Sequence, residues 1–438
     1  MDTRPAARTG PHWRVPAADG PVRAVVTLPG SKSMTNRALV LAALADGPSL
    51  VANPLQARDT LLMAGAVTAL GAAVGTGAGG GWPVAPGQPT GDTRVDVGNA
   101  GTVMRFVPPV AALTAATVEF HGDSRASQRP VGPLLAALRE LGAVIDDGGH
   151  GAIPFTVRGT GSLAGGAVTV DASASSQLVS GLLLAAPRYA KGVEVRHRGL
   201  RLPSAPHLAM TVQMLRDAGA EVEASGDPGG RPGSWRVHPG TIRHGTFGVE
   251  PDVVNAGPFL AAALVTGGTV TIRDWPARTS QPAGPMLELL TTMGGRCEVT
   301  SGGLTVSGTG RVHGVTADLG DLPEMTPVAA ALAALADGPS RLTGVGHIRQ
   351  QETDRLAALA TELNRLGGDV RELPDGLALR PRPLHGGVFA SYDDHRLVMA
   401  AAVLGLAVPG IELAGAATVG KTFPGFTSLW AAMLAGAP

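Results

Sequence analysis

At 438 residues the chain is long enough for roughly two to three domains, and with 44% hydrophobic but only 3% aromatic residues its cores have to be built from Ala, Leu and Val. The formal net charge is +0 and no long basic stretch occurs, which excludes nucleic acid as the main partner. One cysteine, Cys297, excludes an internal disulfide; with no apolar h-region in the first twenty residues and Ala-rich runs too short for a bilayer, the reading is cytoplasmic and non-membrane.

Residues 29–37 read P-G-S-K-S-M-T-N-R, and an Ala/Leu pattern follows without a break, predicting a helix that begins near Ser33. Gly30 allows a tight turn, and Ser31 or Ser33 can cap the orphan N–H groups of the helix start. Lys32 and Arg37 add full charges to the partial positive charge there, so a small, strongly anionic ligand is the natural occupant. The Gly-rich region 75–92 reads as a flexible surface loop; its glycines are not set between a strand and a helix, which excludes a P-loop or Rossmann motif. A second helix begins near Thr102 in G-N-A-G-T-V-M-R, with Asn99, Gly101, Thr102 and Arg105. Q-R-P places Arg129 before a Pro-started helix that stops at the Gly142 turn. A-S-S-Q (174–177) gives Ser175, Ser176 and Gln177 at a third helix start, followed by a strand over 193–196.

The Gly/Pro-rich stretch 226–240 precedes a restart of the pattern near 248–252, where a domain break is expected. A fourth helix near Asn255 is followed by a strand over 269–273, and Cys297 falls in the strand-like R-C-E-V-T. A fifth helix begins near Thr326. Q-E-T-D-R sets Glu352 and Arg355 three apart, on one face of a helix. D-D-H-R brings Asp394, His395 and Arg396 to a sixth helix start. All but three of the 35 basic side chains are arginines, and two of the lysines, Lys32 and Lys421, lie in P-G-S-K-S and V-G-K-T-F-P. Ammonium is a compact point charge whose pKa shifts readily. Lys191 reads as solvated surface.

The same order thus recurs six times, at a spacing of roughly 70 residues that exceeds the common solenoid periods. The helices are apolar nearly all round, which predicts burial, with sheets packed over them in three plus three αβ units.

P-G-S-K-S-x-x-N-R, G-N-A-G-T-x-x-R, S-S-Q, E-T-D-R-L, D-D-H-R and K-T-F-P, in that order from about residue 22 to 432, resemble the 5-enolpyruvylshikimate-3-phosphate synthase family. The resemblance implies an α/β (α+β) monomer, a two-domain inside-out α/β barrel with three βαβαββ repeats per domain around a pseudo-threefold axis. It implies one domain over 28–249 and a discontinuous second domain over 1–27 and 250–438, with substrates bound between them. It further implies transfer of the enolpyruvyl group of phosphoenolpyruvate to shikimate 3-phosphate, without metal or organic cofactor, and sensitivity to glyphosate. Lys32, Ser33, Arg37, Ser175, Ser176, Ser204, Glu324 and Gln351 correspond to shikimate 3-phosphate contacts. Lys32, Gly101, Arg129, Gln177, Arg355, Arg396 and Lys421 correspond to phosphoenolpyruvate contacts. Glu352 resembles the proton-shuttling glutamate, and Glu324, with Asp321 as its rival, the acidic group that takes the hydroxyl proton; Lys32 and Lys421 would steady charge on the departing phosphate. Gln351 departs from the Lys or His usual there, which removes one cation beside Glu352. UDP-N-acetylglucosamine enolpyruvyl transferase is the related alternative, but it typically uses a loop cysteine, and residues 121–130 hold none. A catalytically silent anion-binding protein on the same scaffold is the other.

Overall fold

The structure, a computed structural model, describes residues 12–77, 80–199, 201–225 and 233–436. Two compact units are present, Gly30–Glu250 and the discontinuous Met1–Pro29 with Pro251–Pro438.

One repeat explains both. Thr93–Asp96, Gly101–Ala111, Thr117–His121, Gly132–Glu140, Val144–Asp146 and Phe155–Arg158 run strand, helix, strand, helix, strand, strand. The first two strands are parallel, with Val95 opposite Phe120, so the chain needs a crossover between them, and the buried helix Gly101–Ala111 supplies it. The last two strands form an antiparallel pair that docks on the second strand through Val118 and Val157. The same strand order recurs over Gly166–Val237 and Thr316–Arg380.

The remaining sheets are closed by strands distant in sequence. Thr246–Gly248 pairs in parallel with Ser49–Ala52 and completes the first repeat of Gly30–Glu250. In the other unit Arg23–Val26 pairs in parallel with Thr269–Ile272, and Trp13–Arg14 runs antiparallel to Ile411–Ala414.

Each unit is filled by three inner helices. These are Lys32–Leu44, Gly101–Ala111 and Gln177–Ala185 in one, and Val253–Thr266, Thr326–Ala334 and His395–Ala407 in the other. Their starts follow the expected positions closely. Leu182, Leu183 and Leu184 are all 0% exposed, and each contributes about 1.5–3 kcal/mol by burial. With so few aromatics, small residues set the helix spacing: a Cβ on Gly181 would overlap the Arg105 carbonyl oxygen.

The region 75–92 is not the expected loop throughout. Gly81–Ala85 is a strand paired with Ser49–Ala52, and its Trp82 is 2% exposed. Trp82 and Val84 point inward at a period of two, a pattern the flanking glycines conceal. Pro83 is tolerated because the neighbouring strand ends at Val74, and Gly75 beyond it donates to the Pro83 carbonyl. Of the stretch 226–240, residues 226–232 lie outside the described residues, and Ser234–Val237 is a strand. No described helix is long and apolar enough to cross a membrane.

Candidate active site

In the unit Gly30–Glu250 the starts of the three inner helices are tied to one another by polar side chains. Ser31 occupies the N-cap of the Lys32 helix, but its side chain makes no capping hydrogen bond, contrary to expectation. Thr35 fixes this start instead, its hydroxyl donating to the Ser31 carbonyl at 2.8 Å and accepting from the Leu55 N–H at 3.0 Å. Asn36 Nδ2 donates to Thr102 Oγ1 at 2.6 Å, joining the first and second helix starts. Arg105 Nη1 donates to Gln177 Oε1 at 2.9 Å, joining the second and third. Ser176 Oγ donates to the Ser204 carbonyl at 3.4 Å, and Ser175 Oγ accepts from the Gln177 N–H. Three partial positive helix ends therefore share one end of the unit, where they favour anions.

Cations are added around them. Lys32 Nζ lies 3.6 Å from the buried Asp59. Arg37 is buried to 1% exposure, donates to Thr211 Oγ1, the Ser33 carbonyl and the His207 carbonyl, and sits 5.0 Å from the centre of the Phe106 ring. Burial pulls its guanidinium down to about 9, which leaves it charged at neutral pH. Arg129 Nη1 donates to the backbone and side-chain oxygens of Asn99, at 2.7 and 3.0 Å. Its Nε is buried and has no hydrogen-bond partner among the described residues. The helix after Arg129 begins at Gly132 with Pro133 in its first turn, so Pro130 is not the starter. Pro130 instead accepts from Arg105 Nε and Nη2.

Gly101 is the first residue of the second inner helix. Its nearest neighbours are protein cations: a Cβ there would stand 2.7 Å from Arg129 Nη2 and 2.8 Å from Arg105 Nη1.

In the other unit Glu352 precedes the helix Arg355–Arg365, so it does not share a helical face with Arg355 as the spacing suggested. Asp354 is the cap, accepting from the Ala357 N–H at 3.0 Å. The two residues still pair, Arg355 Nη2 donating to Glu352 Oε2 at 3.0 Å. Lys421 Nζ donates to Glu352 Oε1 at 2.5 Å. Glu352 thus pairs with two cations, and Gln351, where the family usually has Lys or His, accepts from Arg355 Nη1.

Asp394 grips the same arginine through two bonds, Nε to Oδ2 at 2.7 Å and Nη2 to Oδ1 at 3.1 Å, while capping the helix at the Arg396 N–H. Burial acts to lower the Arg355 pKa, but the charges of Asp394, Glu352 and Glu324 hold it above the ordinary arginine value. Arg396 Nη1 donates to Asn255 Oδ1 at 2.9 Å, and its buried Nε has no hydrogen-bond partner among the described residues. Burial lowers the Arg396 pKa against the charges of Asp252 and Glu324. Glu324 occupies the turn Pro323–Met325, where its charge reaches both arginines. Asp321 lines a separate cavity of about 300 Å³ with Glu288 and Thr292.

Asn36, Asp59, Asn255 and Asp394 complete these clusters; the first three were not singled out as site residues from sequence, and Asp394 was noted only for its place at a helix start. A polar residue in the first turn of an otherwise apolar helix, or an aspartate just before one, was the signal available. Lys191 is exposed. Cys297 lies in the strand Arg296–Thr300, and burial raises its thiol pKa.

The model of the EPSP synthase (3-phosphoshikimate 1-carboxyvinyltransferase) family matches residues 16–430. The chain belongs to the EPSP synthase family. It is 51% identical over 433 residues to the 3-phosphoshikimate 1-carboxyvinyltransferase of Kocuria rhizophila, covering 96% of each chain. It is similar to two solved structures of EPSP synthase from Acinetobacter baumannii, both 25% identical. One has a TM-score of 0.79, with 97% of this chain and 98% of that one covered; the other has 0.76, with 95% and 96%. EPSP synthase membership and the threefold repeat within each unit describe the same two-domain α/β fold.

Proposed function

We propose that this chain is a transferase that moves the enolpyruvyl group of phosphoenolpyruvate to the 5-hydroxyl of shikimate 3-phosphate and releases phosphate, a step of the shikimate pathway toward aromatic amino acids. Residues of both units serve this one reaction, in a cytoplasmic monomer. The observation that carries the reading is Glu352, held between Lys421 at 2.5 Å and Arg355 at 3.0 Å in a family that performs this chemistry.

Both substrates bear a phosphate and a carboxylate, and the two clusters supply matching cations and helix ends. Arg37, Ser33, Ser175, Ser176 and Ser204 hold shikimate 3-phosphate, with Gln351 and Glu324 toward its ring. Arg129, Arg355, Arg396, Gln177 and the lysines hold phosphoenolpyruvate beside Gly101. Arginine grips such groups by paired, charge-assisted hydrogen bonds.

In the addition the 5-oxygen bonds to C2 of phosphoenolpyruvate and its proton passes to Glu324. The C2–C3 π pair takes a proton at the methylene carbon from Glu352. In the elimination the new methyl group returns a proton to Glu352, the double bond re-forms, the C2–O bond to phosphate breaks, and the departing phosphate carries away the proton held by Glu324. Lys32 and Lys421 stabilise negative charge on the departing phosphate, worth about 2.7–4 kcal/mol for a well-placed donor. Side chains supply acid, base and charge, so the scheme needs no metal or organic cofactor.

The test is phosphate release measured with each substrate omitted in turn. Release that requires both compounds supports the proposal. Release with UDP-N-acetylglucosamine in place of shikimate 3-phosphate reassigns the acceptor, and release with neither removes the activity.

A further inference from the structure

We infer that Glu362 and Tyr392 are positioning residues that hold the turn ahead of Arg396, a role that rests on the function proposed above. Glu362 is 0% exposed, and the chemistry described so far makes no use of it. A buried carboxylate is tolerated only when its oxygens are engaged. Arg365 Nη1 donates to both oxygens at 2.8 Å. The remaining bonds come from one turn: the Ala390 N–H donates to Oε2 at 3.1 Å and the Tyr392 hydroxyl to Oε1 at 2.7 Å.

That turn links the strand Gly387–Ala390 to the helix His395–Ala407. Tyr392 and Asp393 adopt φ of 52° and 55°, two consecutive left-handed residues without a glycine. Such backbone persists where its surroundings over-determine it. Beside Glu362, Ser391 fixes the turn by donating from its N–H to the Ala414 carbonyl and from Oγ to the Gly415 carbonyl, each at 3.1 Å. A Cβ on Gly415 would overlap that Ser391 Oγ, so glycine is required there.

The turn delivers Asp394, whose two oxygens hold Arg355 and start the Arg396 helix. Arg355 and Glu362 both belong to the helix Arg355–Arg365, seven positions apart and therefore on one face. One rigid helix grips the turn at two points, Arg355 at Asp394 and Glu362 at Ala390 and Tyr392. Loss of the second grip lets the first slip, and with it the placement of Arg355 and Arg396 for phosphoenolpyruvate.

Tyr392→Phe removes only the hydroxyl, and Glu362→Gln keeps the shape and one acceptor oxygen. The full-length variants are assayed by phosphate release against each substrate, beside thermal melting. Losing a hydrogen bond to a charged group predicts about a tenfold rise in KM for phosphoenolpyruvate in Tyr392→Phe, with KM for shikimate 3-phosphate within about twofold. Glu362→Gln shows a smaller rise in the same constant. A purely structural role would lower the melting temperature and leave both KM values in place. An unchanged KM for phosphoenolpyruvate in a folded Tyr392→Phe overturns the positioning role while leaving the proposed function standing. A wild-type enzyme without turnover on the two substrates removes both.

Discussion

Gly101→Ala adds one methyl group at the point where two arginines rest on a helix start. The new Cβ would meet Arg129 Nη2 at 2.7 Å and Arg105 Nη1 at 2.8 Å, both well inside the 3.4 Å at which ordinary contact begins. Arg105 is braced by two bonds to Pro130 and one to Gln177, so Arg129, whose side chain is held by Asn99 alone among the described residues, is the side chain that retreats. A hydrogen bond to a charged group contributes about 1.5–3 kcal/mol. Its loss from phosphoenolpyruvate raises KM for that substrate by roughly ten- to hundredfold. The assay is steady-state phosphate release against phosphoenolpyruvate at saturating shikimate 3-phosphate, with melting as the control for folding. A folded variant with an unchanged KM would refute the placement of Arg129 on this substrate.

Four further outcomes are expected. Glu352→Gln lowers kcat by about 10²–10⁴, the usual worth of a general acid–base group, with little change in either KM; near-normal turnover would remove Glu352 from proton transfer. Asn255→Ala takes away the side-chain oxygen that holds Arg396 Nη1; a denaturant titration should show a loss of about 1–3 kcal/mol, together with a raised KM for phosphoenolpyruvate. Cys297→Ser leaves turnover intact, and iodoacetamide reacts slowly at neutral pH because burial raises the thiol pKa; rapid inactivation by alkylation would contradict this. Glyphosate, at a site opening with Gly101 and Thr102, competes with phosphoenolpyruvate, so inhibition indifferent to phosphoenolpyruvate concentration counts against the assignment.

The inner helices were legible because their signal is local: a polar cluster, an apolar run and a Gly or Pro stop lie within a few turns of one another. The closure of each unit was not, since Thr246–Gly248 finds Ser49–Ala52 across nearly two hundred residues, and a three-residue strand carries little pattern of its own. Glu352 was placed on a helix because E-T-D-R spaces like a helical pair. The same four letters contain the cap, Asp354, that ends the loop one residue before Arg355. Asn255 and Asn36 look alike in sequence, each an amide near the start of an apolar helix, and each proves to join its helix to a group on another. Their partners could not be read without the three-dimensional arrangement of the repeats. Gly101 was singled out in sequence as a substrate contact, and the two arginines that a side chain there would meet could be found only in the structure.

The account requires a lysine from each unit in one reaction, so the direct measurement is turnover of Lys32→Met and Lys421→Met side by side, by phosphate release dependent on both substrates. Each folded variant is predicted to lose about 10²–10³ in kcat, as for removal of one charge-stabilising donor. Wild-type turnover in either variant would contradict the claim that both units act on the same pair of substrates.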